Sequence, residues 1–250
     1  MKKKLEAVEQ FLRKYHSSYQ ANFENVSFAL KTYRHDHQYL PGYLQEIYDY
    51  FGILNQDANI YEDFTNYILN IDEVEKIKTF VEVNAGQLAR VGARLKKVLG
   101  PTSNIVVYDS NLLADESLKD LELVKRDLSS MSLYTDTQFS PMSQRRKTIQ
   151  MELYGQAFAK PSLVYSLYPC EEAIPLVNLA CHNKTNFIMG LCNSDHSVDA
   201  FSDNEDLETY RSSLRREINE ILKEHDNGVL VETELKGKSK IKVPIWYNRK

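Results

Sequence analysis

From Thr79 onward the chain alternates short β-branched runs with helix-length amphipathic segments, and this alternation limits the fold more than any other feature. Runs of period two, each followed by a segment of period 3.6, pack as βαβ units on a mostly parallel sheet. The strand candidates are, in order, TFVEV, NIVVYD, MSLYTD, SLVYSLY, NFIMGLC, GVLVETEL and KIKVPIWY. Between them the pattern predicts helices over 87–99, near 115–126, around 143–158, over 171–182 and over 207–225. Only KGKSK joins the last two strands, so they must pair antiparallel, because a parallel return needs a crossover of about a dozen residues or more. The expected architecture is α/β, with seven strands, helices on both faces and a hairpin last.

The first part of the chain reads differently. Leu5, Val8, Phe11, Leu12 and Tyr15 fall at helical spacing, and YLQEIYDYFGIL and YEDFTNYILNI keep that period up to about Lys78. LPGY, at 40–43, separates two of these helices, since Pro and Gly together stop a helix and reset the chain. The sequence therefore predicts a helical cap or substrate subdomain over 1–72, ahead of an α/β domain over 73–250. The frequent Tyr and Phe of the cap read as a packing face.

Charge and cysteine content narrow the partners. A formal charge of −4 over 250 residues, with a pI near 5.9, gives no electrostatic footprint for non-specific binding to nucleic acid. Cys170, Cys181 and Cys192 are an odd set, too widely spaced for a paired zinc knuckle, and fit a reduced, cytoplasmic compartment. The basic N-terminus MKKKLEAVEQFLRKYH has no continuous apolar stretch of the kind an export signal carries. No apolar run approaches the roughly 20 residues of a membrane-spanning helix. No metal ligand set is expected: His35 and His37 flank an acid in RHDHQ but lack a third partner at suitable spacing.

The segment FVEVNAGQLARVGARLKKVLGPTSNIVVYDS, 80–110, carries the most chemistry. It runs from one strand through a glycine-bearing turn into a helix and on to a second strand that ends on an acid. In these residues, and in the five strand–helix alternations closed by a hairpin, the chain resembles the class I, Rossmann-like S-adenosylmethionine-dependent methyltransferases. The resemblance covers roughly 73–247. It implies that Glu82, near the end of the first strand, faces the ammonium of the cofactor's methionine moiety and that Asp109 accepts from the ribose diol. It also implies that Asn84, Ala85 and Gly86 form the loop against the cofactor, and that Ser110, Asn111 and Ser166 add polar contacts. The family's glycine pattern is kept only at its middle position, Gly86; Asn84 and Leu88 fill the other two. The dinucleotide fingerprint, Gly-x-Gly-x-x-Gly, is not matched by this turn.

Ligands of open α/β sheets sit beyond the carboxyl ends of the strands, which places Ser166 to Cys170 beside the transferred methyl. SLYP lacks the Asp/Asn-Pro-Pro-Tyr step of amine-methylating relatives, so methylation of a base or amide nitrogen is not supported. For proton transfer at an unidentified acceptor the candidates are Tyr168, Glu171 and, in CNSDHS, His196. Three other readings stay open. Glu82 is equally suited to pairing with a lysine or a helix N-terminus. The altered glycines fit a scaffold that keeps the fold without catalysis. Glu234-Leu235-Lys236 matches the Glu-x-Lys step of metal-dependent nucleases, and Arg145, Arg146 and Lys147 form a basic spot read as a solvated face.

Overall fold

The computed structural model describes residues 2–14, 50–51, 59–86, 88–109, 112, 118–124, 160–169, 172–191, 207–239 and 242–250. The chain divides into two compact units, 1–58 and 59–250. The first contains helix α1 (Lys2–Lys14), on which Val8 is buried and Phe11 meets Phe51 edge-on, with ring centroids 5.5 Å apart. The second opens with helix α2 (Asn59–Leu69) and holds the sheet. Helix α2, which the sequence pattern assigns to the cap, thus belongs to the α/β unit, because Ile60, Phe64 and Ile68 are buried in that unit's core.

Among the described residues seven strands form one sheet, in the order β3-β2-β1-β4-β5-β7-β6. They are β1 (Thr79–Val83), β2 (Asn104–Tyr108), β3 (Glu122–Val124), β4 (Ser162–Leu167), β5 (Asn186–Gly190), β6 (Val229–Glu234) and β7 (Pro244–Arg249). β7 runs antiparallel to both its neighbours, and the pairs among β1 to β5 are parallel. The expected count of seven and the closing hairpin are present, and the arrangement is the Rossmann-like methyltransferase sheet. β1 and β4, the two central strands, are buried at every residue, as parallel strands covered on both faces should be.

One strand differs from the sequence expectation. The third strand is Glu122–Val124, inside the stretch read as a helix over 115–126, and MSLYTD lies outside the described residues. Leu118 and Leu121 have helical spacing, but Glu122 pairs with Val106 and Val124 with Tyr108 along the open edge of β2. A three-residue edge strand is chosen by the neighbour's unpaired backbone rather than by its own periodicity.

Alternation along the strands sends side chains to two layers. On one face Val81, Val83, Val106, Val164, Phe187, Met189 and Trp246 pack under helices α4 (Ala173–His182) and α5 (Leu207–Glu224). α5 contributes the stripe Leu214, Ile218 and Leu222, spaced by four, as an amphipathic helix must. On the other face Phe80, Ile105, Val107, Leu163, Tyr165, Ile188 and Ile245 pack under α2 and α3 (Arg90–Leu99). The β6–β7 loop is fastened to α2, where the buried Asp63 accepts from the Ser239 amide at 2.6 Å and Lys238 pairs with Glu62 at 3.1 Å.

Candidate functional site

The strand order reverses direction between β1 and β4, so the crevice of an open sheet falls beyond the carboxyl ends of these two strands. The chain leaves β1 through a tight turn in which Asn84 (φ 53°), Gly86 (φ 71°) and Ala89 (φ 41°) are all left-handed. Glycine takes that conformation freely and asparagine tolerates it; alanine does so only under strain. Something must therefore hold the turn and the helix it leads into, and two acids do, one at each.

Asp109, just past β2, is buried, and its Oδ2 accepts from the Gly86 amide at 2.8 Å. Glu82, on β1, is buried to 2% exposure, and its Oε2 accepts from the Gly92 amide at 2.8 Å and from the Tyr165 hydroxyl at 3.3 Å. Helix α3 begins at Ala89, whose methyl cannot cap it. The carboxylate of Glu82, arriving from the strand, satisfies an N-terminal amide and sits at the positive end of the helix dipole. Position 92 has to be glycine for this contact, since a Cβ there would lie 2.5 Å from Glu82 Oε2.

Tyr165 faces Glu82 because the two residues are register partners on neighbouring parallel strands. Full burial, the adjacent Glu82 charge and the hydrogen bond to it together raise the Tyr165 phenol well above its usual pKa of 10.0, so it remains a donor. Across the crevice, Asn84 donates from Nδ2 to the Tyr168 carbonyl at 2.9 Å, lacing the loop after β1 to the loop after β4. Tyr168 is itself left-handed (φ 63°), half-buried, and anchored by its amide to the Gly190 carbonyl at 2.7 Å. At the outer edge the Arg90 guanidinium lies 3.7 Å from the centre of the Tyr61 ring.

The structure thus brings together Glu82, Asn84, Ala85, Gly86, Asp109 and Tyr168 around one turn. Ser166 is fully buried, its hydroxyl has no hydrogen-bond partner, and its place in the alternation of β4 puts it with Val164 on the α4 and α5 face. Ser110, Asn111, Glu171 and His196 lie outside the described residues, as do Arg145, Arg146, Lys147, His35 and His37. Glu234 and Lys236 are exposed at the end of β6. No group of three or more metal-ligating side chains occurs among the described residues, and no described helix is long and apolar enough to cross a membrane.

Three residues of this site carry signals that are easy to overlook. Tyr165 shares the alternation of Leu163 and Leu167, which points it at the face bearing Glu82. Gly92 is the second glycine of the segment 80–110. Glu172, buried ahead of α4, lies one and two helical turns before the buried Leu176 and Ala180.

No protein-family model matches the chain, and no curated protein sequence does. Among solved structures the chain resembles an O-methyltransferase family protein from Burkholderia thailandensis, with 8% identity, a TM-score of 0.45, and 94% of this chain and 70% of that one covered. It also resembles a putative O-methyltransferase from Klebsiella pneumoniae, with 14% identity, a TM-score of 0.43, and 76% and 79% covered. A third is magnesium protoporphyrin IX methyltransferase from Synechocystis with bound SAM, at 11% identity, a TM-score of 0.37, and 76% and 77% covered. The strand order itself, rather than these likenesses, carries the fold assignment.

Proposed function

We propose that the chain binds S-adenosylmethionine at the carboxyl ends of β1, β2 and β4 and passes its methyl group to an acceptor. The observation that carries this is the engagement of the segment after β1 by two acids from adjacent parallel strands, Asp109 at the Gly86 amide of the turn and Glu82 at the Gly92 amide in the first turn of α3, at the point where the strand order reverses. The donor set suits the cofactor. A carboxylate offers about four acceptor positions, so the bond from the Gly86 amide does not exhaust Asp109 as a partner for a ribose diol. Glycine at position 86 lets the backbone come close to the ligand. The negative charge of Glu82 suits an ammonium.

When bound, S-adenosylmethionine supplies a methyl group on a sulfonium, which an acceptor displaces in line. The protein's share is placement: Asp109 and the turn fix the nucleoside, Glu82 steadies the start of α3, and the Asn84–Tyr168 tie holds the two loops on either side. Tyr168 stands on the β4 side of the crevice, where we place the acceptor, with Glu171 and His196 as the further candidates for proton transfer. A second reading, a scaffold without catalysis, draws support from the internal engagement of Glu82, which stabilises α3 with no ligand needed.

The test is calorimetry and thermal shift with S-adenosylmethionine, S-adenosylhomocysteine and NAD. Ligand that binds only the native state raises the melting temperature. Both sulfur nucleosides should bind and NAD should not. Asp109→Ala should weaken S-adenosylmethionine binding by about 1–3 kcal/mol. An unchanged affinity in that variant, or no binding to the wild type at millimolar ligand, would favour the scaffold.

A further inference from the structure

The opposite end of the sheet holds a cavity that the crevice chemistry does not use. A groove of about 790 Å³ opens over the first residues of β4 and β5, between the end of α2 with the segment that follows it and the last residues of β7. That volume lies within the range of about 300–1,000 Å³ typical of small-molecule sites. Its floor is apolar at Leu163 and Ile188, and Tyr67 and Tyr247 stand on its two walls. Burial and the neighbouring Tyr247 raise the Tyr67 phenol above its usual value, so near neutral pH it stays a hydrogen-bond donor. Ser162, another lining residue, has a buried hydroxyl with no partner. A buried polar group in that state is unusual enough to need a reason.

The β7 end of the groove is cationic. Arg249 and Lys250 line it, and burial together with Lys160 and Lys184 depresses the Lys250 ammonium, which places all three lysines in one electrostatic neighbourhood. None of these four cations makes an ion pair among the described residues. Lys184 donates instead to the His225 carbonyl and Lys250 to the Lys184 carbonyl, at 2.8 Å for the latter. Carboxylates lie on the α2 side, where Glu73 is held by Lys76 and Asp72 is exposed. A cluster of like charges repels itself, and an anion seated among them gains from all of them at once.

We propose that this groove is a second binding site, for an aromatic anion of nucleotide size, with its ring against Tyr67 and Tyr247 and its phosphate at Arg249 and Lys250, the charges of Lys160 and Lys184 adding to the field behind them. Aromatic side chains offer stacking surface to any heterocycle, and the cations select for the charged end. The site stands apart from the crevice and does not depend on methyl transfer.

Calorimetric titration of the full chain with adenosine monophosphate, and separately with inorganic phosphate, tests it. The nucleotide should bind saturably and more tightly than phosphate. The double reversal Lys184→Glu/Arg249→Glu, both at exposed positions, should weaken it at least about tenfold through loss of charge-assisted contacts. Asp109→Ala should leave it unchanged. Should the double variant misfold by circular dichroism, Lys160→Glu alone supplies the same readout. The proposal is overturned by an absence of saturable binding, by phosphate binding as tightly as the nucleotide, or by binding that Asp109→Ala abolishes and the reversals leave intact.

Discussion

The two faces of the sheet solve burial in opposite ways. Under α4 and α5 the layer is hydrocarbon and aromatic, centred on Trp246 and Phe187, and the Ser166 hydroxyl it encloses is left without a partner. Under α2 and α3 the layer encloses an acid, Glu82, with an amide and a phenol supplied to one of its oxygens by two other elements. The first face holds the sheet together and is indifferent to what happens at the strand ends. The second couples the packing of the sheet to the start of α3, because one carboxylate serves both.

The sharpest break between the faces comes from removing the anchor of each. Trp246→Ala empties a fully buried site and should cost about 4 kcal/mol in denaturant unfolding, while leaving the affinity of the folded fraction for S-adenosylmethionine unchanged. Glu82→Leu strands the Gly92 amide and the Tyr165 hydroxyl and should cost about 3 kcal/mol. Glu82→Gln keeps an acceptor oxygen, so it should recover most of that stability yet bind the cofactor more weakly. Cofactor affinity in Glu82→Gln equal to that of the wild type would mean that the charge itself has no part in binding.

Tyr165→Phe removes one donor to Glu82 and should cost about 1 kcal/mol near neutral pH. The fold raises this phenol above 10.0, so the unfolded chain gives up its proton first as the pH climbs past that value. Its contribution is complete below pH 10.0 and is lost above it, on the way to the higher folded pKa. The stability gap between wild type and Tyr165→Phe, followed by unfolding from pH 8 to about pH 11, should therefore narrow at the alkaline end. The smallest change is expected on the hydrocarbon face: Ser166→Ala deletes an unpartnered hydroxyl and should be neutral or stabilise by up to about 1 kcal/mol. A loss of stability there, with weakened cofactor binding, would return Ser166 to the ligand site.

The strands were legible where period and burial agree. TFVEV and SLVYSL, rich in β-branched and aromatic residues and buried throughout, lie in the middle of the sheet, and the short KGKSK link forced the antiparallel hairpin. Glu122–Val124 was not legible, because an edge strand of three residues owes its existence to the exposed backbone of β2. At the site, Glu82, Gly86 and Asp109 were singled out by the resemblance of 80–110 to the methyltransferase motif, and the structure sets all three about the segment from β1 into α3. The alternative that Glu82 serves a helix N-terminus also has its counterpart in the Gly92 amide. What the sequence does not contain is the register that sets Tyr165 beside Glu82, since pairing between β1 and β4 joins residues 83 positions apart. The Asn84–Tyr168 bond was hidden for the same reason.

The clasp between Asp63 and Ser239 bears on how the chain assembles. The two residues are 176 positions apart, so the helix carrying Asp63 leaves the ribosome long before the amide that meets its carboxylate has been made. Until the last hairpin arrives, that acid has no such amide to receive, and the core under Ile60, Phe64 and Ile68 lacks Leu235, Val243 and Ile245. Closure of the α/β unit is accordingly a late event in synthesis, completed by contacts of long sequence separation.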